Sequence, residues 1–251
     1  MNIYVFTPPY NHKSAGIKMM HYLMYLLQRL GHQVTSNTDT FNSEYDLKPA
    51  TQMLNKKYDV LIVPEVTELA QYRYLDMPII RWVLYFAGVL GGPKVYQNNE
   101  TVFHWDKSYE ASAIEASLNG TSELFRLPYL DPKEYNFQEV PRTTILYYVY
   151  KGINQLKHPS GALEITHESA PTRPILFDML HQATDLYSYD RHSALNYEAY
   201  LSGVHVKLWN YTWNMWEDMP IPPKEDTQYM RPGQDINIVQ EMLDNFQRRR
   251  K

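Results

Sequence analysis

The sequence predicts an α/β protein made of two Rossmann-like α/β/α halves, and three observations carry that expectation. Short apolar, β-branched runs alternate with stretches of helical spacing from the first residues onward. Residues 60–64 are continuously apolar, as a parallel strand is when helices cover both its faces. The alternation then starts again near residue 144, after a polar stretch at 131–142. Strands alternating with helices predict right-handed crossovers and an open parallel sheet. At about 150 residues per domain, a chain of 251 residues has room for one to two domains.

The elements follow in order. Ile3, Tyr4, Val5 and Phe6 form a strand that Pro8 and Pro9 stop, because a fixed φ and a missing N–H end a ladder. Ser14 caps a helix in which Ile17, Met20, Met24, Leu27 and Leu30 share a face, and Gly31 ends it. Residues 32–35, 59–64, 81–86 and 101–105 read as further strands, the last two separated by a Gly91-Gly92-Pro93 turn. In the second half, strands are expected at 144–150, 163–166, 185–189 and 204–208, with helices at 175–183 and 193–201. Ile236, Val239, Met242 and Leu243 mark a terminal helix over 235–246, followed by a solvated basic end. The domains are therefore placed at 1–138 and 139–251, the second carrying the terminal helix.

Composition narrows the function. With 44% hydrophobic and 21% charged residues the chain is an ordinary globular one. The longest apolar stretch, 79–90, is interrupted by Arg81 and falls short of the ~18 residues of a membrane span. The chain opens on a strand rather than a charged-then-apolar leader, so a cytoplasmic protein is expected and the sequons at Asn99, Asn119 and Asn210 carry no meaning. A net charge of −4 argues against bulk binding of nucleic acid through its phosphates. The absence of Cys excludes disulfides, thiolate metal sites and a Cys nucleophile. The 22 Tyr and 5 Trp supply flat faces with polar tips, suited to sugars and bases, although most are expected to fill the core.

Four segments at expected strand ends carry chemistry. Thr7-Pro8-Pro9-Tyr10-Asn11-His12-Lys13-Ser14-Ala15-Gly16 leads into a helix N-terminus, suited to a phosphate or polarised oxygen, or else is a tight connector capped by Ser14. His104-Trp105-Asp106-Lys107 offers an acid and an imidazole as a base and a ring for a sugar, though an Asp after a strand is commonly a helix cap. Tyr187-Ser188-Tyr189-Asp190-Arg191-His192-Ser193 leads into a helix bearing Glu198, eight positions after Asp190. A carboxylate there can accept both hydroxyls of a ribose while the helix start meets a diphosphate; an exposed Glu on an amphipathic helix is the plain alternative. Lys151, before Gly152, could neutralise a leaving diphosphate or be a surface Lys in a turn. The first loop lacks G-x-G-x-x-G spacing, which disfavours a NAD-dependent enzyme.

These segments resemble those of two-Rossmann-domain (GT-B) glycosyltransferases, similar to glycosyltransferase family 4 in a compact viral or bacterial form. Thr7-Pro8-Pro9-Tyr10 with Ser14-Ala15-Gly16 and then Gly31-His32-Gln33-Val34 resembles their opening loop, helix and strand. Asp190, seven residues, Glu198-Ala199 and then Ser202-Gly203-Val204-His205-Val206 is similar to their donor-site acidic motif, with Asp where Glu is usual. Lys151 matches their basic residue after the first strand of the second domain. The resemblance implies two domains facing a cleft, with sugar transfer from a nucleotide-sugar donor, such as a UDP- or GDP-sugar, to a hydroxyl of a glycan or similar acceptor. It implies no metal and no further cofactor, and no Asp-x-Asp triplet occurs. It assigns Glu198 to ribose hydroxyls, Lys151 to the diphosphate, and Ser188, Tyr189, His192 and Ser193 to phosphate or sugar. Asp190 would bind sugar hydroxyls, Gly16 would let the first loop approach the reacting centre, and Asp106 or His12 would be the base of an inverting reaction. Two alternatives stay open: a nucleotide- or sugar-binding module without turnover, and a phage-type DNA-base glycosyltransferase, which the acidic balance disfavours.

Overall fold

A computed structural model describes the chain except for residues 12, 44, 48, 49, 129, 131–139, 221–231 and 251, and for residues 73–75 it describes the backbone alone. The chain divides into two compact units, residues 1–129 with 228–251 and residues 130–227.

The first unit is built on a seven-stranded sheet in the order β3-β2-β1-β4-β5-β6-β7. Its strands are β1 (Asn2–Val5), β2 (Gln33–Ser36), β3 (Ala50–Thr51), β4 (Val60–Pro64), β5 (Ile79–Val83), β6 (Glu100–His104) and β7 (Glu123–Leu124). Every pairing is parallel. The order reverses between β1 and β4, which is the Rossmann arrangement and puts the sheet's switch point there. All five residues of both β4 and β5 are buried, which explains the unbroken apolar character of β4 and the apolar run that only Arg81 interrupts in β5. Arg81 fits inside β5 because its charge is met in place: Nε donates to Glu100 at 2.6 Å, and Nη1 to the carbonyls of Pro64 and Thr67 at 2.9 and 2.7 Å.

Helix α1 (Ala15–Arg29) begins where Ser14 Oγ accepts from the Ile17 N–H and ends at Gly31, whose φ of +83° suits a residue without a Cβ. It is buried more fully than one apolar stripe predicts, with Met19, Leu23 and Leu26 inside as well. A second helix, α2 (Glu110–Ala116), precedes β7. The connections around β5 differ from the expected βαβ pattern. A 3₁₀ turn at Ala70–Leu75 lies between β4 and β5, and the segment between β5 and β6 contains no helix.

The second unit holds a five-stranded sheet in the order β12-β11-β10-β8-β9. It comprises β8 (Thr144–Tyr148), β9 (Leu163–Glu164), β10 (Ala183–Ser188), β11 (His205–Asn210) and β12 (Met215–Asp218). The first four run parallel and β12 closes the edge antiparallel to β11. Helices α3 (Arg173–Gln182) and α4 (Ala194–Leu201) help build a core of Leu146, Leu180, Leu186, Ala199, Val206 and Leu208. Its switch point lies between β8 and β10.

The terminal helix α5 (Pro232–Arg248) corrects one expectation. Assigned from sequence to the second domain, it belongs to the first unit, where the Tyr22 hydroxyl of α1 donates to Asp235 at 2.5 Å and Arg249 pairs with Glu123 of β7. Among the described residues no helix is long and apolar enough to cross a membrane.

Candidate functional site

In open α/β sheets ligands bind outside the carboxyl ends of the strands at the switch point, and in the second unit that edge is well furnished. Strand β8 ends at Tyr148, and Tyr150, Lys151 and Gly152 follow. Tyr150 has φ of +33°, an uncommon conformation for an aromatic residue that costs about 1–3 kcal/mol. Gly152 is required by a close approach: a Cβ there would lie 2.3 Å from the Tyr189 carbonyl oxygen. The loop after β8 is thereby pressed onto the end of β10, and Lys151 comes within electrostatic reach of Asp190.

Asp190 is 3% exposed. Its Oδ1 accepts the His192 N–H at 3.3 Å, and its Oδ2 accepts no hydrogen bond among the described residues. Burial pushes this carboxyl above its ordinary range, opposed by the Lys151 charge and by the main-chain N–H groups of His192 and Lys151. The Asp190 backbone is fixed in turn, since its carbonyl accepts from Ser188 Oγ at 3.1 Å and Asn196 Nδ2 at 2.8 Å. A buried, rigidly held carboxylate with one oxygen unmatched is the kind of group that a ligand's hydroxyl completes.

Glu198 lies on α4 and is 6% exposed. Both its oxygens accept from Arg173 Nη1, at 2.8 and 2.9 Å, and Arg173 itself lies over the Phe177 ring. A buried Glu on the inner face of α4 is thus charge-matched from α3, by a residue that sequence reading missed. No local spacing links positions 173 and 198. Tyr148 was also missed. It lies within reach of Ser193, Asp190 and Glu198, and burial, reinforced by both carboxylates, pushes its phenol up.

The remaining predicted residues of this segment serve the loop itself. Ser193 accepts the Leu195 N–H at 3.2 Å as the cap of α4, and the Ser193 N–H donates to the Asp190 carbonyl at 3.2 Å. Ser188 is spent on Asp190, as described. Tyr189 is 1% exposed, its hydroxyl accepting the Lys157 N–H at 2.9 Å and its ring packed on Trp209 and Trp216. Thus Lys151, Asp190, His192, Ser193 and Glu198 gather at one sheet edge, with Ser188 and Tyr189 as their support.

In the first unit the Thr7–Gly16 segment is anchored by reciprocal bonds: the Thr7 N–H donates to Asn37 Oδ1 at 2.8 Å and Asn37 Nδ2 to the Thr7 carbonyl at 3.0 Å. His21 donates Nε2–H to the Pro8 carbonyl at 3.2 Å, and burial holds its ring pKa down. His12 lies outside the described residues. A Cβ on Gly16 would meet Leu84 Cδ1 at 3.5 Å, an ordinary contact, so packing does not demand glycine there. Asp106 caps the short 3₁₀ turn Lys107–Tyr109, its Oδ1 accepting the Ser108 N–H at 2.9 Å and Oγ–H at 2.8 Å, while Arg126 stands 3.8 Å from Oδ2. Trp105 offers no open face for a sugar: it is 8% exposed, its indole N–H donates to the Leu127 carbonyl, and Arg126 lies over the ring.

Among the described residues no three His, Asp or Glu side chains are grouped to hold a metal ion. No protein-family model matches the chain, and no curated protein matches it significantly.

Proposed function

We propose that the chain is a metal-independent glycosyltransferase of the two-Rossmann-domain (GT-B) type, moving a sugar from a nucleotide-sugar donor to a hydroxyl of a glycan or similar acceptor. The observation that carries this reading is the buried Asp190 carboxylate, with Oδ2 unmatched, beside Lys151 at the switch point of the second sheet. A nucleotide sugar has the complementary parts: hydroxyls that donate to carboxylates and a diphosphate that needs a cation. In this reading Asp190 accepts from sugar hydroxyls and Glu198, oriented by Arg173, accepts from the ribose. Lys151 meets the charge that grows on the diphosphate as the glycosidic bond to it breaks. The two switch points, one per unit, support separate donor and acceptor sites on separate sheets.

A second reading is a nucleotide-sugar-binding module without turnover, and one observation favours it: Asp106, a candidate base, already accepts two hydrogen bonds from Ser108. Turnover separates the two. The test is release of nucleoside diphosphate from a panel of nucleotide sugars, with and without hydroxyl acceptors. The transferase reading expects acceptor-dependent release from one donor class, and for Asp106→Asn a loss of roughly 10²–10⁴-fold in kcat with donor affinity intact if that residue is the base. Donor binding without release in any combination establishes the binding module instead.

A further inference from the structure

The donor reading requires that Lys151 and Asp190, borne on different loops, be presented at one fixed spacing. A lysine side chain is flexible, so that spacing is set by whatever holds its main chain. The antiparallel hairpin β11–β12 reaches both loops. Tyr211, which opens its turn, accepts the Ile153 N–H at 2.6 Å and lies 2.9 Å from the Tyr189 carbonyl and 3.2 Å from that of Ile153. A phenol has one proton to give, and the nearer carbonyl, that of Tyr189, is the better acceptor. One hydroxyl therefore ties the residue two after Lys151 to the residue before Asp190.

The same hairpin grips the Asp190 side. Arg191 donates Nη1 to the Trp209 carbonyl and to Glu217, each at 3.1 Å. Glu217 is held by Asn210 Nδ2 at 2.7 Å, and Asn210 Oδ1 in turn accepts the N–H groups of Thr212 and Trp213 at 2.9 and 3.0 Å, shaping the turn that carries Tyr211. Beneath it, Trp216 donates its indole N–H to the Lys157 carbonyl at 3.0 Å, fixing the far end of the loop after β8.

We propose that Tyr211 is a positioning residue for donor binding: its hydroxyl locks the Lys151 loop against the end of β10, so that ammonium and carboxylate meet the donor preorganised. The inference rests on the donor-site reading of Lys151 and adds to it a residue that touches no ligand.

The experiment is a double-mutant cycle on the full chain, using wild type, Tyr211→Phe, Lys151→Ala and the double variant. Each is titrated with UDP and with GDP by calorimetry, extended by ligand-observed NMR where affinity falls to the millimolar range. Tyr211 is 43% exposed, so Phe removes one oxygen from a site where water can replace it, and the fold survives. The expected result is a loss of about 3- to 10-fold in affinity on Tyr211→Phe, the effect of one hydrogen bond, and no further loss when Lys151 is already Ala. Tyr211→Phe binding as wild type does overturns the inference, and so does an equal loss in both backgrounds, which marks a merely structural role. If wild type binds neither nucleotide, or Lys151→Ala binds as well as wild type, the donor-site reading itself fails.

Discussion

Burial disfavours the charged form of Asp190. Its folded-state pKa is raised by burial, so the folded chain binds the proton more tightly than the unfolded one, whose Asp titrates near 3.9. Stability from this group is complete below that value and is lost as pH rises through the folded pKa, which leaves a cost at neutrality. Asp190→Asn keeps an oxygen to accept the His192 N–H and removes the charge. It is expected to raise the unfolding midpoint at pH 7 by a few degrees, while the advantage disappears near pH 4; a lower midpoint at pH 7 contradicts the reading. On the donor-site proposal, such a gain is the usual trade between activity and stability. The residue was legible in the sequence, because a carboxylate between a strand and a helix start stands out at any spacing. Its unmatched oxygen was not legible, nor was the partner of Glu198, because Arg173 comes from a different helix and is brought there by packing alone.

Elements were legible in proportion to how strongly burial patterned them. Strand β4, buried along its whole length, and α1, capped by Ser14 and ended by Gly31, stood out because core contact fixes their residue types. The two-residue strands β3 and β7 were invisible, since pairing of that length leaves no periodicity. Strand β12 was hidden for a related reason: an edge strand reading Met-Trp-Glu-Asp, only half-buried at its centre, has no apolar face to alternate. That omission concealed the hairpin bearing Tyr211. Arg142 shows the same limit. In a stretch that reads as polar, it donates to the carbonyls of Leu180, Ala183 and Ser202 at 3.3, 2.9 and 2.6 Å, joining the ends of α3 and α4 to the start of β10. Arg142→Ala is expected to lower unfolding free energy in urea by about 1–3 kcal/mol with an unchanged m-value. A change under about 0.5 kcal/mol, the scatter of ordinary surface substitutions, shows that the bridge carries no weight.

At the scale of the molecule, two α/β units were readable from the restart of the strand–helix alternation, but the ownership of α5 was not. Ile236, Val239, Met242 and Leu243 announce a buried face without saying what buries it, and the answer, fixed by the Tyr22–Asp235 bond, is the first unit. The chain consequently enters the second unit near residue 130 and leaves it near residue 227. The most direct measurement of the central claim is a thermal-shift titration against a panel of nucleotide sugars and nucleoside diphosphates. A ligand that binds only the folded chain adds about 2.7 kcal/mol at a hundred times its dissociation constant, a shift of several degrees. Two variants accompany wild type, Lys151→Ala and Glu198→Gln, the latter chosen because the Gln amide keeps the side-chain volume and one oxygen to accept from Arg173 Nη1, whereas Ala would leave that guanidinium without this acceptor. The account predicts that one class of nucleotide sugar raises the wild-type midpoint and that both variants lose most of the shift. A panel that leaves the midpoint unmoved, or a shift that survives intact in both variants, contradicts it.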